Sequence, residues 1–499
     1  MVVAAIDAGT TGVRCMIIDH RGKLLGIGRR SWEYTTPIDL EIAKEFDPTH
    51  FWHLTCTVIK DAIEQAGVKK SELEAVASTS QRHGSVFLDK DGNELYAGPN
   101  IDARGAMTQY IVEESLGERY HEITGCWPPL MFSPSRLSWF EEEEPELFES
   151  IAHILPINDW ITYKLGNIFV TDLSAGCATG FLDISKCTWS SEVIEAVGID
   201  SAILPEIHQS GTIVGEVTAI AEKECSLPKG LPIVQGGADT HCALLACTAQ
   251  SHEIVIISGS TTPVMMIIDD MYCDPVQKFW TGCHIVPGKW VIESNATLTG
   301  ANLEWVVRLL CERAESFDDC IKKTLTNLDD LLVDIPPGSN ETFIALGPSV
   351  MDCQRITDVK QARMTFPQPA LPQVIPLNSA RMIHAVLENI AYAVRGNCEQ
   401  LERYHEATCI KTIGGMTKSR VWSELLANIL GKEVHTPLQP EGSLLGAGIC
   451  AATGIGQYSS LMEAAKNMVQ WKDVNNPNER ADIYKSYYSK WTRMYCEGE

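Results

Sequence analysis

Near its start the chain interrupts an apolar run with Asp7-Ala8-Gly9-Thr10-Thr11-Gly12, then resumes with another apolar run. Glycine lets backbone N–H groups approach a ligand, and threonine hydroxyls add donors to phosphate oxygens. A carboxylate at a strand end can hold Mg2+, usually through water, because that ion keeps much of its hydration shell. Alone, the stretch reads equally as a plain β-turn, since Gly and Thr are ordinary turn residues. Ser258-Gly259-Ser260-Thr261-Thr262 repeats the same chemistry in the second half of the chain. A matched pair of such loops is much less expected by accident than either one.

Three further clusters join them. Gly236-Gly237-Ala238-Asp239 ends a strand with an aspartate before a helix-like segment. Asp239 is either a helix cap or a general base that takes the proton of a substrate hydroxyl during phosphoryl transfer. Gly414-Gly415-Met416 is either a strand-to-helix turn or a place where an adenine ring lies against backbone. Ser80-Gln81-Arg82-His83-Gly84 and Asn100-Ile101-Asp102-Ala103-Arg104 end apolar runs, where open α/β sheets place ligand groups. Gln81, Arg82, His83 and Asp102 can together hydrogen-bond the hydroxyls of a polyol or sugar. The alternatives are a salt bridge for Arg82 and Asp102 and a satisfied loop histidine for His83.

The elements that must position these groups are α/β throughout. "VVAAIDAGTTGVRCMIID" reads as strand, tight turn, strand, and "KLLGIGRRSWEY" supplies a third strand. "FDPTHFWHLTCTVIKDAIEQAG" reads as a helix capped by Asp47, with Pro48 in its first turn and Gly67 closing it. "PIVQGGADTHCALLAC" reads as strand, Gly-rich turn and helix, and "EIVIISGSTTPVMMIID" repeats the opening layout. "MIHAVLENIAYAVRGNCEQL" is a long helix, "CIKTIGG" a strand, and "SRVWSELLANILG" a helix stopped by Gly431. The echo predicts two similar halves, 1–248 and 249–499, with the boundary near Ala246 to Ser251. Two phosphate-holding hairpins facing each other across a cleft form the nucleotide site of the actin–hexokinase type of fold.

Composition narrows the partners. The 499 residues carry a formal net charge of −25, and no Lys/Arg block stands out, so a nucleic-acid partner is not expected. No stretch approaches the ~20 apolar residues of a membrane span, and "MVVAAIDAG" lacks the basic start of a signal peptide. Seventeen cysteines without a Cys-x-x-Cys pair argue against a disulfide framework and a thiolate zinc site. The expectation is a soluble cytoplasmic protein with buried thiols.

Together these residues resemble the FGGY family of carbohydrate kinases over nearly the whole chain. The family's opening Asp-x-Gly-Thr-Thr/Ser matches Asp7 to Thr11. Its Gly-Gly-x-Asp, whose aspartate is the catalytic base, matches Gly236 to Asp239. Its second phosphate hairpin matches Ser258 to Thr262, and its adenine loop matches Gly414 to Ser419, followed by Trp422, with Met416 in place of the third glycine. "INDWITYKLGN" and "MFSPSRLSWFEEE" resemble further family segments, with Arg136 where lysine is usual.

The resemblance implies a two-lobed actin-like (ribonuclease H-like) ATPase fold with a duplicated βββαβα core and a nucleotide cleft between lobes. It implies ATP held by Gly9, Thr10, Thr11, Arg14, Ser258, Gly259, Ser260, Thr261, Thr262, Gly414, Gly415, Met416 and Ser419. Mg2+ is expected at Asp7 and Asp239, the base is Asp239, and a small polyol or sugar meets Gln81, Arg82, His83, Asp102 and Asp239. Many relatives are dimers or tetramers, so a homodimer is compatible.

"SNATLTGANLEW", "NIDAR" and the Arg82 position look most like the autoinducer-2 kinases, which phosphorylate the linear 4,5-dihydroxypentane-2,3-dione. His83-Gly84 is also similar to the His-Gly of xylulokinases. "RMTFPQPALPQVIPLNSARMIHAVLEN" lacks the usual Arg-Gly-Ala stretch, and "FIALGPSVMDCQRI" lacks the common Pro-Tyr…Gly-Glu-Arg pattern. The leading expectation is therefore an ATP-dependent kinase acting on a primary hydroxyl of that dione. The alternatives are a xylulokinase or other ketose or polyol kinase, and a sugar- or nucleotide-binding regulator that has kept the fold without the chemistry. An actin- or chaperone-like ATPase gives no use to the polar cluster from Gln81 to Asp102.

Overall fold

The computed structural model describes residues 2–37, 40–358, 361–368 and 377–496. Residues 369–376 of the stretch lacking Arg-Gly-Ala lie outside them. The chain divides into two compact units. The first is Met1–Thr248 with Ile268–Val291 and Glu441–Gln470; the second is Ala249–Ile267, Ile292–Pro440 and Trp471–Glu499. Thus 268–291 and 441–470, which the sequence reading groups with the C-terminal half, pack in the first unit.

The first unit is built on a sheet with strand order Ile213–Glu216, Pro232–Ala238, Leu73–Ser80, Val2–Gly9, Gly12–Asp19, Leu24–Ser31. Val2–Gly9 runs antiparallel to Gly12–Asp19 with Gly9 opposite Gly12, so Thr10 and Thr11 are a two-residue hairpin tip. Leu73–Ser80 is parallel to Val2–Gly9, and Pro232–Ala238 is parallel to Leu73–Ser80. The strand ends at Gly9, Ser80 and Ala238 thereby fall on one edge, where a parallel sheet delivers functional groups.

The helix Pro48–Ala66 forms for the reasons its sequence gives. Asp47 accepts from the Thr49 and His50 N–H groups, Pro48 opens the first turn, and Gly67 closes at φ 64°. Phe51, Trp52, Thr55, Cys56, Val58, Ile59, Ala62 and Ile63 repeat every three to four residues and form its buried face. Each large apolar side chain buried there contributes about 1.5–3 kcal/mol. On this scale, an exposed pair such as Arg308–Glu304 is minor. Helix Gly442–Gly454 packs on strands of the same sheet and on helix Asp239–Ala246. A Cβ on Gly446 would lie 2.1 Å from the Cys242 carbonyl oxygen.

The second unit repeats the strand order as Trp290–Leu298, Thr261–Ile268, Glu253–Ile257, Cys409–Ile413, Val434–His435. Glu253–Ile257 is antiparallel to Thr261–Ile268 and parallel to Cys409–Ile413, matching the pairing of the first unit's central strands. The long helix Ser379–Glu402 is capped by Asn378, and Arg420–Leu430 ends at Gly431 with φ 66°.

One expectation needs correction. Gly236 and Gly237 are strand, not turn, because Pro232–Ala238 continues through them. A Cβ on Gly236 would lie 1.9 Å from the Ser78 carbonyl oxygen, so glycine serves close strand approach there. Cys311 and Cys320 are bonded in the second unit. Among the described residues, no helix is long and apolar enough to cross a membrane.

The contact at Gly446 makes a prediction. Gly446→Ala must push the helix off Cys242 and is expected to cost about 1–3 kcal/mol. A lowered thermal midpoint by circular dichroism checks it; an unchanged midpoint contradicts the packing.

Candidate active site

Asp7 lies near the end of the first strand and is 1% exposed. Arg14, its partner across the hairpin, donates to Oδ2, and Ser443 Oγ donates to the same oxygen at 2.6 Å. Asp7 Oδ1 is buried with no hydrogen-bond partner. Arg14 also donates to Glu441 at 2.6 Å, and Arg29 to the other Glu441 oxygen at 2.8 Å. Asp7 raises the Arg14 pKa most; burial opposes it, and Glu441 and Asp239 add to the rise. Asp239 therefore belongs to the same charge cluster as Asp7 and Arg14.

The hairpin tip is tied from behind. The Thr10 carbonyl accepts from Tyr34 Oη at 2.6 Å and Trp32 Nε1 at 3.3 Å, and Asn100 Nδ2 donates to Thr10 Oγ1 at 2.9 Å. Burial pushes the Tyr34 phenol up to about 12, which keeps it a donor. Thr11 is exposed. Gln81 is 3% exposed and bonds the Gly9 carbonyl, Tyr34 Oη and the Asn100 N–H, so its amide braces this loop.

Asp239 opens helix Asp239–Ala246 as its first residue, while Ala238 occupies the cap position. Its Oδ1 accepts from the Thr240 N–H at 2.7 Å, and the side chain is half-buried. The preceding backbone is clamped. The Gly237 carbonyl accepts from Thr79 Oγ1 at 2.6 Å, and the Ala238 N–H donates to Ser174 Oγ at 2.9 Å. Ser174 Oγ in turn donates to Asp172 at 2.7 Å.

A small recess adjoins this strand-to-helix junction, lined by Gln81, Arg82, His83, Ala175, Ala178 and Ala238 among others. His83 has φ 65°, an uncommon left-handed conformation for a non-glycine residue. Buried Arg136 donates to the His83, Pro99 and Asp102 carbonyls and so holds that kink. His83 Nδ1 lies 3.1 Å from the Ala178 carbonyl. Burial, with Arg82 adding to it, pushes His83 down to about 3, so the ring is neutral near pH 7.

The structure does not bring the Asp102 carboxylate to this recess. It is fully buried and accepts from the Lys44 N–H at 2.9 Å, Tyr96 Oη at 2.5 Å and Arg104 Nε at 2.9 Å. Arg104, stacked among Tyr96, Trp139 and Phe140, is its ion-pair partner.

In the second unit, the hairpin residues divide into two sets. Ser258 and Thr262 are buried. Ser258 Oγ meets Thr412 Oγ1 at 3.0 Å and accepts from Trp422 Nε1 at 3.2 Å, while Thr262 Oγ1 meets Thr299 Oγ1 at 2.7 Å. Ser260 and Thr261 are exposed at the tip. Gly414 needs its glycine, with φ 118° and a would-be Cβ 2.6 Å from the Ser258 carbonyl oxygen. Gly415 is exposed, and Met416 donates its N–H to that same oxygen at 3.1 Å. Ser419 caps helix Arg420–Leu430 and donates to Asp329 at 2.6 Å.

Sequence reasoning missed Ser443, Glu441, Asp172, Ser174 and Asp329. Only Asp172 carries a local signal, as the first residue of the capping pattern "DLSA".

The glycines separate fold from ligand. Gly9, Gly259 and Gly415, which lie in three of the glycine stretches singled out by sequence, would each accept a Cβ with no contact under 3.4 Å. Packing does not require glycine at these three positions; close approach of a ligand to backbone would.

Comparison with known proteins identifies the family. Residues 2–246 match the N-terminal domain of the FGGY family of carbohydrate kinases, and 254–455 match its C-terminal domain. The chain belongs to the FGGY family of carbohydrate kinases, and it is a phosphotransferase. It is 27% identical over 500 residues to the autoinducer-2 kinase of Salmonella typhimurium (strain LT2), covering 98% of this chain and 93% of that one. It is 28% identical over 502 residues to the autoinducer-2 kinase of Yersinia enterocolitica, covering 99% and 94%. Among solved structures, xylulose kinase from Rhodospirillum rubrum matches with TM-score 0.82 at 22% identity over 100% of this chain and 99% of that one. Plasmodium falciparum glycerol kinase with ADP matches at TM-score 0.82 and 16% identity, over 100% and 98%. These structures share the two-domain α/β fold.

Gly9→Ala and Gly415→Ala are expected to melt within about 1 kcal/mol of the parent. Both should weaken ATP binding at least about tenfold by calorimetry, equivalent to about 1.4 kcal/mol. Unchanged affinity in both would contradict the ligand role of these glycines.

Proposed function

We propose that this carbohydrate kinase transfers the γ-phosphoryl group of ATP to a primary hydroxyl of a small linear polyhydroxy carbonyl compound, of the dihydroxypentanedione type. The single observation that carries the catalytic reading is the Asp7 carboxylate. One oxygen is locked by Arg14 and Ser443, and the other is buried and unpartnered. A buried carboxylate oxygen without a partner is costly unless a ligand completes it.

Mg2+ fits this donor set. Among the described residues no three His, Cys, Asp or Glu side chains group as a metal site. That suits an ion bound through one or two carboxylates, water and phosphate oxygens. Asp7 would hold it, and when bound it neutralises charge on the transferred phosphoryl group. In the first unit, Gly9, Thr10 and Thr11 present the hairpin tip to phosphate. In the second unit, Gly259, Ser260 and Thr261 do the same, and Gly415 and Met416 give the adenine a flat backbone to lie on.

Asp239 accepts the proton of the attacking hydroxyl. The substrate lies against Arg82 and His83. His83 is neutral, so with Nδ1–H donated to the Ala178 carbonyl its Nε2 accepts from a substrate hydroxyl, while Arg82 donates. Asp102 acts at one remove, through the Arg104 and Arg136 network that shapes the recess. The dione is the substrate proposed because the full-length relatives at 27–28% identity are named autoinducer-2 kinases.

Asp239→Asn is expected to lower kcat at least about a hundredfold while ATP affinity stays within about threefold, since general-base loss costs roughly 10²–10⁴. Coupled ADP release measured across the dione, xylulose, ribulose and glycerol checks both parts. Turnover of Asp239→Asn at the parent rate would overturn the base, and faster turnover of xylulose than of the dione would overturn the substrate.

A further inference from the structure

The turn that delivers Asp239 is clamped on one side by Asp172 and Ser174. On another side it meets a segment distant in sequence. Strand Trp280–Cys283 leads directly into His284 and Ile285. Ile285 packs on the backbone just before Asp239: a Cβ on Gly237 would lie 2.5 Å from Ile285 Cγ2. His284 reaches the first turn of the helix itself, where its Nδ1 lies 3.2 Å from His241 Nδ1. The two rings are 4% and 2% exposed.

Two nitrogens at that distance share one proton, with one ring donating and the other accepting. Burial pushes both rings below the usual range, so neither carries a charge near pH 7. The same strand starts with Trp280, whose ring meets His83 edge-on at 5.6 Å and Phe132 at 5.9 Å. Trp280 Nε1 donates to the Trp127 carbonyl at 2.8 Å, which fixes that end. One short segment therefore touches the helix that begins at Asp239 and the wall of the recess that carries His83.

We infer that His284, through its hydrogen bond to His241, is a positioning residue that holds the Asp239 carboxylate in register with the recess. The inference rests on Asp239 being the base. His284 does not line the recess; it acts on kcat through the helix it pins. The side chain must present a hydrogen-bonding atom at the Nδ1 position. Asparagine does so, glutamine places its amide near Nε2 instead, and leucine offers none.

Steady-state kinetics on the full chain test this with four variants: His284→Asn, His284→Gln, His284→Leu and Asp239→Asn. The expected result is kcat within about threefold of the parent for Asn, with a loss of about ten- to a hundredfold for Gln and Leu. The KM for ATP should stay within about twofold in all three His284 variants, because nucleotide contacts lie elsewhere. A merely structural role would lower the melting temperature without this kcat-only split or the Asn rescue. Should His284→Leu not fold, the Asn and Gln pair decides alone. Parent kcat in His284→Gln, with Asp239→Asn inactive, overturns this inference and leaves the base standing. Full activity in Asp239→Asn overturns both.

Discussion

One guanidinium organises the edge of the first unit where its central strands end. Arg14 bonds Asp7 and Glu441 together, two carboxylates brought close by the β-hairpin and by helix Gly442–Gly454. Without it two negative groups would face each other in a partly buried site, where like charge is poorly screened. With it, Asp7 is turned so that one oxygen is spent on Arg14 and Ser443 and the other is left over. That remaining oxygen is the feature on which the metal, phosphate and base assignments all lean.

A second buried charge network holds the loop that carries His83. Asp102 sits among Arg104, Arg136, Tyr96 and the Lys44 N–H. Such a cluster is not a large source of stability, since desolvation consumes much of the Coulomb gain. Its use lies in geometry. Arg136 gathers three carbonyls and thereby fixes His83 in a left-handed conformation that a free loop would rarely adopt. On the proposed reading, a wall built this way is preorganised before the substrate arrives.

Much of this was legible in the chain. The helix Pro48–Ala66 carries its cap, its proline and its closing glycine within the segment itself, so reading those signals found both ends. The two Gly/Thr hairpins were legible because both strands and the turn are contiguous in sequence. The Gly236-Gly237 pair was misread as a turn, since glycine marks turns and close strand approach alike, and only the neighbouring Ser78 backbone tells them apart. Asp102 resembled a sugar ligand by type; its burial depends on Lys44, Tyr96, Arg104 and Arg136, which converge only in three dimensions. Ser443 reaches Asp7 across 436 residues and Glu441 reaches Arg14 across 427, and no local pattern announces such contacts. Asp7 itself was read as a metal ligand; what sequence could not supply is which of its two oxygens remains available.

The most direct test of the account is Mn2+ binding followed by electron paramagnetic resonance in the presence of a non-hydrolysable ATP analogue. Asp7→Asn keeps the shape of the side chain and the bond from Ser443, but removes the charge. The account predicts that Mn2+ affinity in the ternary mixture falls at least about tenfold, equivalent to about 1.4 kcal/mol, while the fold is retained by circular dichroism. Parent-level Mn2+ affinity in a folded Asp7→Asn protein would contradict it.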